Sequence, residues 1–332
     1  MSIASEIEDL ATNLGRAKSA IITKGGTVGD TGLYGLASEI ASIPGGGVVP
    51  ENYGTVTYTD SGVTKTVVME DDIDFHALCI GGSGTVVEIN GVSVKKANIT
   101  KVEITDGVNH LPDNFMNGCP NATSVVLPQS ILFIGDSVFA GCGFNTGTVD
   151  LTNVVEIGNK FLMSASSMNV PIILSNVEDI GTEFLYGCSI FNNPISLPKV
   201  IKIGSYFMYN CAAFNSSITL GDKIQLIAER FMNGCASYAQ SFTIPSSLLT
   251  DSTGVTYNPG SRFMHECKNF VGPLVCNTST KIPTDIYALA TTDSGATMYT
   301  TGVTLTGTYA QDWQTALPDR TSSPYRKLVI GS

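Results

Sequence analysis

The sequence predicts a β-rich solenoid, a fold in which one short unit stacks on the next and shares its core with it. A motif of Phe, a short gap and Cys recurs about every 23 residues between Phe115 and Cys267. Two further patterns keep this period: an Ile-Gly pair before the Phe, and an apolar alternation that ends in Leu-Pro or Ile-Pro. A constant period of this length indicates stacked repeats, because one unit cannot bury its own apolar edge.

The Phe and Cys of the six intact copies are the predicted structural anchors, and we expect both side chains to face the core. Successive Phe positions, including that of a decayed copy at residues 161–165, are 24, 22, 23, 23, 24 and 32 residues apart. The long last step predicts an insertion around residues 247–260. The anchors are Phe115 with Cys119, Phe139 with Cys142, Phe184 with Cys188, Phe207 with Cys211, Phe231 with Cys235, and Phe263 with Cys267.

Within one repeat, the alternating apolar residues predict one or two short strands. Proline then ends the strand because it has no N–H for the ladder, and glycine permits the corner that turns the chain back. The piece from Phe to Cys predicts a short helical or 3₁₀ turn. Each repeat is therefore expected to be a compact coil of strand, corner and turn.

These residues resemble the BspA-like class of leucine-rich repeats, whose consensus runs roughly Ile-x-Ile-Pro, a short gap, Ile-Gly and then Ala-Phe-x-x-Cys. Residues 134–142, which read Ile-Gly-Asp-Ser-Val-Phe-Ala-Gly-Cys, match it closely. The resemblance covers about residues 100–275 and implies a right-handed leucine-rich-repeat solenoid. It implies little about the ligand, since the family is a scaffold for many different surfaces.

The repeat cysteines predict a ladder of buried, reduced thiols rather than a metal site or a disulfide framework. Zinc ligands come in pairs a few residues apart, whereas these cysteines lie one repeat apart. Stacked equivalent side chains point in parallel, and a disulfide needs converging Cβ vectors. Cys267 and Cys276 are the pair for which a bond stays open. Many unpaired thiols favour folding in a reducing cytoplasm.

No arrangement of residues predicts catalysis, a cofactor or a metal ion. The histidines, His76, His110 and His265, show no metal or triad spacing, and the acidic cluster at residues 70–74 lacks the calcium-loop pattern. The net charge of −11 argues against nucleic-acid binding, and no apolar run is long enough for membrane insertion. The N-terminal residues lack the pattern of a secretory signal. Only 14% of the residues are charged, so we expect a neutral, hydroxyl-rich surface like that of fibrous and cell-surface proteins.

Residues 1–44 predict a helical segment for attachment and oligomerisation. Apolar residues of the first helix recur in alternating steps of four and three, which is the heptad seam along which helices associate, and we expect a homotrimer. Alternatively, this helix packs against a second helix at about residues 31–43 of the same chain. Residues 17–43 also resemble the N-terminal region that attaches tail and tail-fibre proteins of bacterial viruses to the virion. The seam residues are Ile3, Ile7, Leu10, Leu14 and Ile21.

Three further regions follow along the chain. Residues 45–105 predict a β-rich cap, in which Asn90-Gly91 marks a hairpin. Residues 106–280 form the predicted leucine-rich-repeat solenoid, and residues 281–332 a C-terminal cap with Trp313 as its core anchor.

These resemblances together predict a non-enzymatic virion protein of a bacterial virus, located in a tail fibre or baseplate, that attaches the particle to its host. Such a protein assembles in the host cytoplasm with other tail proteins and binds a glycan or protein of the host surface. The alternative is a bacterial BspA-like surface adhesin. A β-solenoid carbohydrate-active enzyme is a third and weaker interpretation, because no repeat supplies a consistent acidic pair.

Receptor contacts are expected on one exposed loop edge of the solenoid. Four aromatic residues follow the Phe anchors at a constant offset of seven, and we expect their rings to face the interior: Phe191, Phe214, Tyr238 and Phe270. Amides and hydroxyls beside a partly exposed ring suit weak contacts with a glycan that the repeats would multiply. The predicted contact residues are Asn192, Asn193, Asn215, Ser216 and Gln240.

Overall fold

The computed structural model describes residues 50–248, 260, 262–270, 272–276, 303–308, 310–311 and 328–330. They form a parallel β-solenoid preceded by an antiparallel β-region, which confirms the predicted fold class. Several predicted features lie outside the described residues: the N-terminal helices with the seam residues Ile3 to Ile21, the segment at 17–43, Trp313, the Cys276 side chain and most of the insertion.

The antiparallel β-region, here called the cap, joins the solenoid through one shared strand. β5 pairs antiparallel with β1 on one side and parallel with β7, the first strand of the repeats, on the other. Because β5 belongs to both pairings, the cap covers the backbone edge that the first repeat would otherwise leave open. Its elements are β1 (Gly54–Asp60), β2 (Val63–Met69), α1 (Asp72–Ala77), the hairpin of β3 (Val86–Ile89) and β4 (Val92–Lys95), a 3₁₀ turn (Lys96–Asn98) and β5 (Ile99–Ile104).

Two parallel ladders run along the solenoid, with equivalent residues of successive turns in register. In the first ladder Ser196 pairs with Thr219, and in the second Ile180 pairs with Ile203. The second ladder consists of β6 (His110–Leu111), β8 (Phe133–Ile134), β10 (Glu156–Ile157), β12 (Asp179–Ile180), β14 (Lys202–Ile203) and β16 (Leu226–Ile227). The first is divided into four sheets: β5 with β7 (Ser124–Val126), β9 (Val149–Asp150) with β11 (Ile172–Ile173), β13 (Ile195–Leu197) with β15 (Ile218–Leu220), and β17 (Phe242–Ile244) with β18 (Leu274–Cys276), β19 (Val303–Thr306) and β20 (Leu328–Ile330).

The glycine of the Ile-Gly pair is required by the close approach of neighbouring turns. A Cβ added at Gly204 would lie 2.5 Å from the backbone carbon of Gly181, the equivalent residue one turn earlier. The preceding residue, Ile203, is fully buried in the core. The pair therefore combines an apolar residue facing inwards with a position where no side chain fits, between the end of β14 and the turn that follows it.

The segments from Phe to Cys form a third side, where backbone groups bond from turn to turn outside any strand. Ser164 N–H donates to the Tyr186 carbonyl, and Gly187 N–H donates to the Tyr209 carbonyl, both at 2.7 Å. The residue three positions after the Phe is left-handed in these turns, as at Gly187 (φ 75°) and Asn210 (φ 58°). Left-handed residues interrupt a helix, so the segment is an irregular turn and not the predicted helical or 3₁₀ turn.

The Phe rings form a column in the core, and each of the six predicted rings is fully buried. Phe184 and Phe207 stack with ring centroids 5.0 Å apart, and Phe207 and Phe231 repeat this distance. Phe161 of the decayed copy and Phe263 beyond the long step continue the stack. The insertion therefore leaves the column continuous.

The second repeat has Val138, not Phe139, at the position of the core anchor. Cys142 follows Val138 by four residues, the spacing of the other intact repeats, and both steps that flank Val138 are then 23 residues. Phe139 is left-handed (φ 59°), as is Met116 (φ 56°), the residue after the anchor in the first repeat. Phe139 remains fully buried and meets the Phe161 ring edge-on at 5.8 Å. Sequence alignment on Phe alone placed this repeat one residue out of register.

Candidate ligand-binding surface

The repeat cysteines hold successive turns together. The Cys188 thiol donates a hydrogen bond to the Leu162 carbonyl of the preceding turn at 3.1 Å. Burial raises the pKa of the Cys188 thiol to about 12, so this group stays protonated and is a poor nucleophile at neutral pH. None of the seven cysteines whose side chains are described forms a disulfide bond. The same bond to the preceding turn is made by Cys142 to Met116, Cys211 to Leu185, Cys235 to Met208 and Cys267 to Met232.

A buried lysine at the junction of cap and solenoid is also used by the fold. The Lys96 ammonium donates to the carbonyls of Leu78 (2.9 Å), Ile80 (3.2 Å) and Gly81 (3.2 Å), just beyond the C-terminus of α1. Burial lowers the pKa of Lys96, but three carbonyls satisfy the three donors of its charged form. No motif pointed to Lys96, because only the folded cap brings these carbonyls together.

The acidic cluster of the cap organises the cap itself and not a metal site. Asp71 is the N-cap of α1, where its carboxylate accepts from the Asp74 N–H at 2.9 Å. Asp74 in turn accepts from the Glu70 N–H (2.9 Å) and the Asn90 N–H (2.7 Å). Within the described part of the chain, no three His, Cys, Asp or Glu side chains come together as metal ligands. Over the same residues, no helix is long and apolar enough to cross a membrane.

The predicted receptor edge is built from asparagines that bond to the next turn, and we call it the amide edge (Asn169, Asn192, Asn193, Asn215, Ser216, Gln240). Asn192 Oδ1 accepts from the Asn215 N–H at 2.7 Å, and Asn215 Oδ1 accepts from the Ala239 N–H at 2.9 Å. Asn169 Oδ1 likewise accepts from the Asn192 N–H at 2.9 Å. Ser216, Asn193 and Gln240 donate to the same row of asparagines. The amide edge is mostly exposed, but the side-chain oxygens of Asn169, Asn192 and Asn215 already bond within the fold.

The aromatic residues beside the amide edge are closed to a ligand. Phe191, Phe214, Tyr238 and Phe270 are fully buried and stack from turn to turn, with centroids of neighbouring rings 5.7–6.1 Å apart. Their inward orientation agrees with the expectation from the offset of seven. The partly exposed ring that the glycan hypothesis required at this edge is absent among the described residues. Stacking against a sugar therefore needs another surface.

Aromatic rings are accessible on the third side of the solenoid, at a group we call the tyrosine cluster (Tyr186, Tyr206, Tyr209). All three side chains are half-buried. Tyr186 and Tyr209, two residues after their Phe anchors, stack with centroids 4.8 Å apart and planes 10° apart. The Tyr206 ring centroid lies 5.5 Å from that of Tyr209. On the other side, the Arg230 guanidinium lies 5.1 Å from the Tyr206 ring centroid. In an alignment of the repeats on their Phe anchors, Tyr186 and Tyr209 occupy the same position, so the sequence could have indicated this pair.

The hydroxyl groups of this cluster remain neutral at physiological pH. Burial raises the pKa of Tyr186, and the neighbouring Tyr209 and Glu183 raise it further, while Arg230 opposes them. The Tyr186 phenol therefore keeps its proton and can donate a hydrogen bond. The arrangement offers apolar ring surface, neutral donors and one cation across adjacent turns, which suits binding rather than catalysis.

Comparison with known proteins identifies the repeat. A family model for the BspA type leucine rich repeat region matches residues 87–215 and 191–258 in six copies, together more than half of the chain. A search of curated proteins found no match.

Two solved structures are similar to the chain. A leucine rich cell surface protein from Faecalibacterium prausnitzii A2-165 is 17% identical over 60% of this chain and 54% of that chain, with a TM-score of 0.35. The chain thus spans about half the length of that protein. A leucine-rich repeat protein from Bacteroides ovatus ATCC 8483 is 14% identical over 69% of this chain and 88% of that chain, with a TM-score of 0.25. By the extent of its repeat match, the present chain belongs to the BspA-type leucine-rich-repeat family.

Proposed function

We propose that this protein is a non-enzymatic binding protein of adhesin type, which acts at a bacterial surface and meets its ligand with the solenoid. The observation that carries this proposal is the in-register stacking of repeats, which turns single exposed side chains into rows. Rows of like groups suit weak contacts that add up along an extended ligand. Membership of a scaffold family supports binding, and the internal thiols and Lys96 are engaged in structural bonds.

Two surfaces are candidates for the contact. The amide edge offers Asn192, Asn193, Asn215, Ser216 and Gln240 at the spacing of the repeats, with their oxygens largely used by the fold. The tyrosine cluster offers rings and hydroxyls that the ladder does not require. The second surface is therefore the better supported one.

Surface labelling tests the proposed location. Antibody raised against the full chain should label intact producing bacteria, and the purified full chain should adsorb to target cells and block attachment of the producer. Labelling that appears only after lysis, together with no adsorption, would overturn the proposal. An unrelated solenoid of similar charge provides the control for non-specific adsorption.

A second candidate function is attachment of a bacterial virus to its host, favoured by the resemblance of residues 17–43 to tail proteins. It would add a homo-oligomer formed through the seam at residues 3–21 and contacts with other tail or baseplate proteins. Immunogold labelling of purified virus particles separates this function from the first. Light scattering on residues 48–332 against the full chain tests the seam, because loss of the seam should lower the mass of the assembly.

A further inference from the structure

The residue before each Phe anchor has a left-handed backbone, whatever its type. This position is held by Asn114 (φ 62°) in the first repeat, and by Tyr206 (φ 61°) and Arg230 (φ 56°) at the tyrosine cluster. Among non-glycine residues, asparagine accepts this conformation most readily, whereas bulky side chains are strained in it. Lys160 (φ 60°) and Arg262 (φ 51°) hold the same position in other repeats, so the turn imposes this conformation on any residue type, and Tyr206 and Arg230 share its cost with them.

Arg230 contacts an aromatic ring but leaves one of its own donors unsatisfied. Its guanidinium lies over the Tyr206 ring at 5.1 Å. Among the residues that the structure describes, it forms no ion pair, and its Nε–H is shielded from solvent without an acceptor. An unsatisfied buried donor is itself unfavourable. The unsatisfied Nε–H of Arg230, held beside the Tyr206 ring, thus points to a role other than folding.

The groups of the tyrosine cluster suit a ligand that carries both a negative charge and an apolar surface. The guanidinium offers a planar pair of donors that matches a carboxylate, and the phenol hydroxyls add further donors. Ring surface beside them packs against the C–H groups of a sugar or against other apolar groups.

The extent of the cluster favours a small ligand unit over a protein surface. It occupies adjacent turns, and its four side chains are each half-buried. They expose far less than the roughly 800 Å² per partner that a stable protein interface buries. One or two sugar residues fit this extent, and the neighbouring turns leave a path for the rest of a chain.

We propose that Tyr186, Tyr206, Tyr209 and Arg230 form a binding site for a carboxylate-bearing sugar, such as a uronic or sialic acid residue of a surface glycan. The carboxylate meets the Arg230 guanidinium, and the sugar ring packs against the tyrosines. This proposal rests on the proposed binding function and names the chemistry of its ligand.

Binding measurements on the full chain test the proposal with four probes: polygalacturonate, sialyllactose, lactose and dextran sulfate. We expect saturable binding of at least one carboxylated probe, with lactose and dextran sulfate bound at least about tenfold more weakly, a difference of roughly 1.4 kcal/mol. If lactose binds as tightly as the carboxylated probes, the site does not recognise the carboxylate. Equal binding of dextran sulfate would show a general anion site. Either result overturns the proposal.

Variants at the left-handed position make the test specific. Tyr206→Asn and Arg230→Asn should each lower affinity for the carboxylated probe at least about tenfold, while the melting temperature stays equal or rises. Lys160→Asn is the matched control, since Lys160 holds the same left-handed position (φ 60°) two turns before Tyr206 and should leave affinity unchanged. Unchanged binding by both cluster variants would overturn the site. If the full chain adsorbs to cells but binds none of the carboxylated probes, the sugar proposal fails and the binding function stands; if neither occurs, both fail.

Discussion

The amide edge and the tyrosine cluster are both exposed rows of polar groups on the same solenoid, yet they differ in what holds them. At the amide edge, Asn192 Oδ1 accepts the backbone N–H of Asn215 one turn later at 2.7 Å. At the tyrosine cluster, Tyr206 contacts both Tyr209 and Arg230, and the backbone of Tyr206 and Arg230 is left-handed. The amide edge thus stabilises the stacking of the repeats, whereas the tyrosine cluster adds no hydrogen bond of this kind between turns.

This difference teaches that exposure alone does not identify a binding surface in a repeat protein. Asparagines that recur once per repeat look like a row of ligand-binding residues. Their recurrence instead follows from the backbone N–H groups that each turn must satisfy. Accessible rings beside a cation whose donors the fold does not all use are the better indication of binding. Four measurements test this difference between the amide edge and the tyrosine cluster.

Truncating the core beneath both rows should have the largest effect. Phe207→Ala removes a fully buried ring that stacks on Phe184 and Phe231, and should lower the free energy of unfolding by about 3–5 kcal/mol. Chemical denaturation measures it. Tyr209→Ala, two residues away in the same turn but half-buried, is the matched control and should cost clearly less. Similar losses for both variants would mean that the tyrosine cluster belongs to the core, which would remove the contrast.

Removing an oxygen from the amide edge should cost about 1–2 kcal/mol. Asn192→Ala deprives the Asn215 N–H of its side-chain acceptor, while the Ser216 hydroxyl keeps the Asn192 backbone carbonyl at 2.6 Å. Asn192→Asp keeps the acceptor, as Asp136 does towards the Asn159 N–H elsewhere in the solenoid, and should retain most of the stability. If Asn192→Ala is as stable as wild type but fails to adsorb to cells, the amide edge is a binding surface and the assignment is reversed.

Alkaline pH should destabilise the protein through its buried thiols. The unfolded chain releases the Cys188 proton near pH 9, whereas the folded chain holds it until about 12, so the stability from this group is present below pH 9 and lost as pH rises through that window. At a pH of about 10.5, this one thiol accounts for roughly 1–2 kcal/mol. Denaturation midpoints of Cys188→Ala should therefore fall less between pH 8 and this value than those of wild type. An equal fall in both proteins would show that Cys188 ionises freely in the fold.

Relieving strain at the tyrosine cluster should have the smallest effect on stability. Tyr206→Asn exchanges a bulky left-handed residue for one suited to this backbone, and loses the ring contacts with Tyr209 and Arg230. These terms oppose each other, so we expect a change between zero and a gain of about 1 kcal/mol. Thermal melting of Tyr206→Asn beside Lys160→Asn measures the balance. A loss of more than about 1 kcal/mol would show that Tyr206 is retained for stability.

The solenoid itself could be predicted from the sequence, because stacking copies one set of local requirements every turn. Burial of Phe207 and Cys211 and the short strands follow from their recurrence at a fixed period, since equivalent residues meet equivalent surroundings. The inward direction of Phe191 follows from the same logic. Recurrence did not reveal the anchor at Val138, since Phe139 beside it matched the motif by residue type while the backbone placed it one position later.

The chain by itself thus determined the period, the class of fold and the composition of the core, all of which depend on residue types repeated at fixed intervals. Only the tertiary structure decided what each exposed residue does. The stacking brings Tyr186 to 4.8 Å from Tyr209 although they are a full repeat apart, and it commits Asn192 to a neighbouring N–H. The left-handed backbone at Tyr206 and Arg230 is imposed by the turn and leaves no mark on their residue types. Contacts between turns and strained dihedrals arise only when repeats share one backbone geometry, which is why the candidate site had to come from the fold.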